Sequence, residues 1–206
     1  MPLHIVDHPL ARHLLALLRN RDTPPEQFRS VCKSLTSIVV LEATRDLPTS
    51  PSTVLTPIKE TEAALLSRPL AAIPILRAGL GMLDPVVDLF PDVAVGYIGL
   101  ERNEGTAVAH SYYCKLPDLA GKDALCLDPM LATGGSASQA LSLIKAAGAL
   151  TVSMVCIVAA PEGFAKLAAD HPQVDVYTAS LDEGLDSRKY IVPGLGDFGD
   201  RLYGTL

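Results

Sequence analysis

An α/β fold, a twisted parallel sheet flanked by helices, is what this sequence of 206 residues predicts, and three observations carry that expectation. Short apolar runs recur along the chain at Leu70–Leu76, Val93–Leu100, Ala124–Leu127, Thr151–Ala160 and Val174–Ser180. Between them lie segments whose apolar residues return every three or four positions, as at Ala137, Ala140, Leu141 and Ile144. Strands alternating with helices at this spacing build parallel sheets covered on both faces. Two of the runs also end in a chemically loaded turn, Arg77-Ala-Gly-Leu-Gly81 and Asp128-Pro-Met-Leu-Ala-Thr-Gly-Gly-Ser136. The carboxyl ends of parallel strands are where α/β proteins bind their ligands.

Taken in order, His8–Arg19 and Pro25–Arg45 read as two helices separated by Pro24-Pro25. Leu10, His13, Leu14, Leu17 and Leu18 form the stripe of the first, and Phe28, Cys32, Leu35 and Val39 that of the second. Leu47–Pro57, rich in Pro, Ser and Thr, reads as an extended connection, and Ile58–Leu66 as a short helix. Leu70–Leu76 is the first core strand, Met82–Phe90 a helix and Val93–Leu100 a second strand. Glu101–Pro117, polar at first with Gly105 near its turn, reads as an exposed hairpin that can act as a lid. A helix beginning at Ser136, with Ser136 and Gln139 at capping-box spacing, ends before Gly148. Thr151–Ala160 is a strongly apolar central strand, Gly163–His171 a helix and Val174–Ser180 a strand. The tail from Tyr190 carries Gly194, Gly196, Gly199 and Gly204, a pattern suited to a shaped loop and not to helix or strand. Its Ile191, Val192, Leu195 and Phe198 are too apolar to stay in water.

Length suits a single domain, with a core over about 68–180, N-terminal helices over about 8–66 and a tail over about 188–206. Apolar residues at 49% supply a sizeable core, and a formal charge of −6 argues against a nucleic-acid surface. The first residues have neither a basic nor an apolar signal region, and no apolar run approaches the roughly 18 residues of a membrane span. Cys32, Cys114, Cys126 and Cys156 show no Cys-x-x-Cys spacing, which fits a reducing cytoplasm. His4 and His8 stand four apart without a further ligand, so no protein-ligated metal site is expected.

The stretch around Asp128 carries the chemistry. A strand, a loop of small residues and a helix start turn free N–H groups and the positive end of a helix dipole toward an anion. It is not a P-loop, because no Gly-x-x-x-x-Gly-Lys-Ser/Thr exists in the chain. A phosphate in the loop with a sugar hydroxyl on Asp128 amounts to a phosphorylated ribose held at both ends. After the first strand, Arg77 adds a guanidinium fork at the same kind of edge.

These residues resemble the uracil phosphoribosyltransferases. Asp128–Ser136 looks like their phosphoribosyl-diphosphate (PRPP) motif, with Pro129 where much of the wider superfamily carries a second acid. Leu76-Arg-Ala-Gly-Leu-Gly81 resembles their pyrophosphate loop, which often contains a non-proline cis peptide. Arg102 and Tyr112-Tyr-Cys-Lys-Leu-Pro117 resemble their flexible loop, although Asn103–Ala109 departs from it. Glu42-Ala-Thr-Arg-Asp-Leu47 matches a segment near the family's N-terminus, read as packing or subunit contact. Pro193-Gly-Leu-Gly-Asp-Phe-Gly-Asp200 resembles the uracil-binding tail.

The resemblance implies transfer of the phosphoribosyl group from PRPP to uracil, with Mg²⁺ held mainly by PRPP. It implies that Arg77, Arg102, Asp128, Pro129, Met130, Leu131, Ala132, Thr133, Gly134, Gly135, Ser136 and Asp197 contact PRPP. Asp128, Arg77, Arg102 and Asp197 would carry catalysis, and Ile191, Gly196, Asp197 and Phe198 would face uracil. It further implies a phosphoribosyltransferase fold with a hood of N- and C-terminal segments, and a homodimer or higher homo-oligomer without nucleic-acid or membrane partners. A regulatory protein that senses nucleotides through the same pocket, or a phosphoribosyltransferase for another base, stays open at this level.

Overall fold

The computed structural model describes residues 2–102 and 109–205, and of residues 101, 102 and 109–111 it describes the backbone only. Strand β1 (Leu3–Ile5) is followed by helices α1 (Pro9–Arg19) and α2 (Pro25–Ala43). Strands β2 (Thr49–Leu55) and β3 (Glu60–Leu66) come next, then β4 (Leu70–Leu76), a 3-10 turn (Ala78–Met82) and α3 (Leu83–Leu89). Strands β5 (Ala94–Val95), β6 (Tyr97–Arg102), β7 (Ala109–Lys115), β8 (Asp123–Leu127) and β9 (Met130–Leu131) precede α4 (Gly135–Ala146). The chain closes with β10 (Thr151–Ala159), α5 (Pro161–Asp170), β11 (Asp175–Leu181), β12 (Gly184–Leu185), β13 (Ile191–Val192) and α6 (Phe198–Tyr203).

The main sheet runs β1-β11-β10-β8-β4-β6-β7, with β5 beside β4 and β9 beside β10. Its pairs are parallel except β6 with β7. Side chains alternate between two apolar cores, as pleating requires. Leu125, Leu127, Val155 and Ile157 face α1, α2 and the tail residues Leu195, Phe198 and Leu202. Ala124, Cys126, Met154 and Cys156 face Ala137, Ala140, Leu141 and Ile144 of α4 and Leu167 of α5. The expected two-faced parallel sheet is therefore present, and β1, which periodicity did not reveal, extends its edge.

Four sequence expectations are corrected. Ile58–Leu66 is not a helix: β3 pairs antiparallel with β2 from Thr49 opposite Leu66 to Leu55 opposite Glu60. Thr56 closes the turn, its N–H and hydroxyl both donating to the Lys59 carbonyl at 3.0 and 2.8 Å. Ile58 and Leu65 stay exposed, so a helix there would have no core face, whereas a hairpin satisfies its backbone without one. The Ser136–Gln139 capping box is not formed, because α4 opens at Gly135 behind Gly134 at φ +76° and has no side-chain cap. Val93–Leu100 divides at Gly96 into β5 and β6. The tail contains β13 and α6, since its glycines fall mainly at the joints and Asp197 caps the helix through the Asp200 N–H at 3.0 Å.

Candidate active site

Strands β4 and β8 are parallel neighbours with Pro74 opposite Leu127, so Arg77 and Asp128 leave the sheet at the same edge. The segment after Asp128 is stitched onto β10. Pro129 O accepts the Ile157 and Val158 N–H groups at 3.0 Å each, and the Ala160 N–H donates to Leu131 O at 2.9 Å. Asp128 Oδ1 lies 3.5 Å from the Met130 nitrogen, and Thr133 Oγ1 lies 3.5 Å from that of Gly135. Asp128 and Met130–Ala137 then line a tight cradle of about 40 Å³ at the start of α4. Its donors are hydroxyls and first-turn N–H groups, which suits an oxyanion such as a phosphate.

The cradle depends on a residue that sequence reasoning missed. Gly163, in the first turn of α5, packs so closely that an added Cβ would run into the Ala132 and Leu131 carbonyl oxygens. A Cβ on Gly134 would in turn meet the Gly163 carbonyl at 2.8 Å. A glycine just inside a helix was the available signal, but its partner lies some 30 residues away and no local pattern announces it. Helix α4 is fixed further by His171, whose Nε2 lies 2.9 Å from the Ser138 carbonyl and whose Nδ1 lies 3.2 Å from Lys145 Nζ. Burial lowers the His171 pKa, which favours the neutral ring that this pair of contacts needs.

Arg77 is exposed at the end of β4, where the Leu76–Arg77 peptide is cis and the 3-10 turn begins. Leu76, Arg77, Leu100 and Tyr112 surround an open depression of about 420 Å³. The Tyr112 ring lies directly over Gly99, leaving no room for a Cβ there. Arg102 ends β6 opposite Ala109, but its side chain lies outside the described residues, as do residues 103–108 of the expected lid. Lys115 pairs with Tyr97, five residues back from Arg102 and on the order of 17 Å along the strand. The backbone positions 102 and 115 therefore stand at opposite ends of the β6–β7 ladder.

The tail completes the site. Met130, Ala132, Arg188, Lys189, Tyr190, Ile191, Gly196, Asp197 and Phe198 line a cavity of about 290 Å³. Ile191, Gly196, Asp197 and Phe198, the residues singled out in the sequence, thus come together. Met130 and Ala132 belong to the cradle as well, so the two cavities share a wall. Phe198 is buried edge-on against Phe28 of α2, with ring centroids 5.1 Å apart. Arg188, Lys189 and Tyr190 were not foreseen. Asp186 shapes their turn by accepting the Arg188 and Tyr190 N–H groups at 2.9 Å each, with Lys189 at φ +68°.

Among the described residues, no group of three or more His, Cys, Asp or Glu could hold a metal ion. The acids at the two cavities are Asp128 and Asp197. A divalent cation fits such a site when an anionic substrate supplies most of its oxygen ligands. Covalent chemistry on the nearby thiols is disfavoured, because burial pushes Cys126 up and raises Cys156 to about 12. No helix among the described residues is long and apolar enough to cross a membrane.

The family model described as uracil phosphoribosyltransferase matches residues 5–205. The chain is 48% identical over 203 residues to a uracil phosphoribosyltransferase of Symbiobacterium thermophilum, covering 98% of this chain and 97% of that one. It is 47% identical over 204 residues to one of Exiguobacterium sibiricum, covering 98% of both. Among solved structures, the AQ2163 protein from Aquifex aeolicus superposes with a TM-score of 0.94 at 39% identity, over 98% of each chain. A hypoxanthine-guanine phosphoribosyltransferase from Bacillus anthracis gives 0.53 at 10% identity, covering 77% of this chain and 80% of that one. That last likeness is one of fold, the α/β phosphoribosyltransferase fold.

Proposed function

The chain belongs to the uracil phosphoribosyltransferase family, and we propose that it transfers the 5-phosphoribosyl group of PRPP to uracil, releasing UMP and diphosphate. The observation that carries this reading is the wall shared by Met130 and Ala132. A ribose 5-phosphate seated in the cradle would present its anomeric carbon toward a base in the adjoining cavity.

Uracil N1 attacks the anomeric carbon while the bond to diphosphate breaks, and the N1 proton is lost. Positive charge grows on the sugar and negative charge on the leaving group, so alignment and charge stabilisation are the levers. The N–H groups and hydroxyls of Thr133–Ser136 hold the 5′-phosphate, and Asp128 accepts from the ribose hydroxyls. Arg77 and Arg102 take the diphosphate. Asp197 has Oδ1 on the Asp200 N–H, which assigns any work on the N1 proton to Oδ2. Mg²⁺, held mainly by PRPP itself, would supply positive charge that offsets the charge of the diphosphate.

Micromolar binding of PRPP needs about 8 kcal/mol. A helix N-terminus supplies roughly 0.3–2 and a charge-assisted hydrogen bond about 1.5–3 kcal/mol. No one element suffices, so an acidic chain binds this anion only by combining cradle, arginines and metal.

The assembly we propose is a homodimer or higher homo-oligomer in the cytoplasm. Leu55 and Ile58, 83% and 90% exposed on the β2–β3 hairpin, are the apolar surface for a second copy. Light scattering of the purified protein checks this, and a monomer at micromolar concentration contradicts it. A PRPP-dependent assay over uracil, cytosine, hypoxanthine and orotate tests the activity.

A further inference from the structure

We infer that Arg201, Arg19 and Asp182, which lie behind the tail and outside the base cavity, position the backbone donor that reads the base. The inference rests on the uracil reading and names the residues that make that reading specific.

Arg19 ends α1. Its Nη1 donates to the Gly194 carbonyl and to Asp182 Oδ2, both at 2.8 Å, and its Nη2 donates to Asp182 Oδ1 at 2.6 Å. Asp182 Oδ2 also accepts the Gly194 N–H at 2.9 Å, and Ser180 Oγ donates to Oδ1 at 2.7 Å. Both backbone groups of Gly194 are thereby held by one buried ion pair, whose carboxylate is only 2% exposed. Arg201 holds the next carbonyl. Its Nη1 donates to Leu195 O at 2.9 Å and also to Leu18 O, and its Nη2 donates to Asn20 O at 2.6 Å. The same guanidinium sits over the Phe28 ring, 4.5 Å from its centroid.

The consequence follows from amide geometry. Val192–Pro193 is the cis bond of the tail, and the Leu195–Gly196 amide is trans, so its C=O and N–H point in opposite directions. With Leu195 O fixed on Arg201, the Gly196 N–H faces the other way. Gly196 lines both the outer cavity that contains Arg19 and Arg201 and the base cavity, which contains neither arginine. The fork on the outer side therefore keeps a donor toward the base. Gly196, at φ +81°, leaves the adjoining peptide free to rotate at little cost unless something holds it. A flipped peptide would offer a carbonyl instead. That group suits the amino donor of cytosine and repels O4 of uracil, so the arginine sets base choice without touching the base.

The test compares kcat/KM for uracil and for cytosine in wild type, Arg201→Gln, Arg201→Lys and Asp182→Asn, with PRPP dissociation measured in the absence of base. In Arg201→Gln the uracil-to-cytosine ratio is expected to fall by about tenfold or more, with PRPP affinity within about threefold of wild type. Arg201→Lys, which keeps charge and donors but not the fork, is expected to fall between the two. Equal losses for both bases, leaving the ratio constant, would overturn the inference even if melting temperature drops. Should Arg201→Gln fail to fold, a constant ratio in both Arg201→Lys and Asp182→Asn overturns it equally. A wild type that does not use uracil removes the underlying reading instead, a result visible before any variant is made.

Discussion

The Tyr203 hydroxyl lies 3.2 Å from the Arg77 carbonyl oxygen and donates to it, tying the last helix of the tail to the turn that follows β4. Burial raises the Tyr203 phenol above its ordinary pKa, so it stays a donor through the neutral range. One hydrogen bond thus links the segment assigned to the base with the turn assigned to the diphosphate.

Replacing Tyr203 by Phe removes this bond alone. At about 0.5–1.5 kcal/mol for a neutral hydrogen bond, KM for PRPP is expected to rise roughly two- to tenfold with little change in melting temperature. Steady-state kinetics check this, and an unaltered KM would show that the bond carries no coupling.

Asp128→Asn keeps the size of the side chain and removes its charge. Losing a charge-assisted contact to the ribose hydroxyls, worth roughly 1.5–4 kcal/mol in the transition state, is expected to lower kcat/KM by about ten- to a thousandfold. Wild-type kinetics in the folded variant would remove Asp128 from the mechanism.

Gly163→Ala and Gly135→Ala separate close packing from mere glycine content. The first drives a methyl group into the Ala132 and Leu131 carbonyls, whereas the second meets Thr133 Oγ1 at 3.7 Å, an ordinary contact. Gly163→Ala is expected to cost about 1–3 kcal/mol of stability and to weaken PRPP binding. Gly135→Ala should melt at or above the wild-type temperature, because alanine is the better helix former. Equal melting temperatures for the two variants would contradict the close approach of α5 to the cradle.

These contrasts also show what was legible in the sequence. The Asp128 loop and Arg77 could be read because each is contiguous and its chemistry is local, whereas the Ile191–Phe198 segment was singled out through its resemblance to the family's tail. Gly163, Arg19 and Asp182 could not, because their roles depend on partners that only the folded sheet brings near: Arg19 and Asp182 are 163 residues apart. The β2–β3 hairpin was misread for a different reason. Ile58, Leu65 and Leu66 satisfy a helical spacing, but they face solvent, and periodicity carries information only where one face is buried. Beside the cavity, Lys189 occupies a left-handed conformation that glycine normally marks, so no glycine flagged that turn.

Acid should unlock the tail clamp. Burial alone would raise the pKa of Asp182, but hydrogen bonds from Arg19, Ser180 and the Gly194 N–H outweigh it and hold the carboxyl below its ordinary range. A carboxyl with a depressed folded pKa stabilises the protein above its unfolded pKa of about 3.9, and that contribution is lost as pH falls through the folded value. The stability difference between wild type and Asp182→Asn is therefore expected to be full at pH 7 and to narrow below about pH 4. Urea titrations at several pH values measure it, and a difference that is constant down to pH 3 would mean that the charge of Asp182 adds nothing.

Initial rates of diphosphate release from PRPP and Mg²⁺, with uracil, cytosine, hypoxanthine or orotate as acceptor, test the assignment most directly. Uracil and cytosine exchange donor and acceptor at two ring positions, and mismatching two desolvated backbone groups costs about 1–3 kcal/mol each. The wild type is therefore expected to prefer uracil by about a hundred- to ten-thousandfold in kcat/KM, and Phe198→Ala to keep that preference while losing affinity. A wild-type ratio below about tenfold, faster turnover with another base, or a preference that vanishes with the phenyl ring would contradict a tail that reads uracil through its backbone.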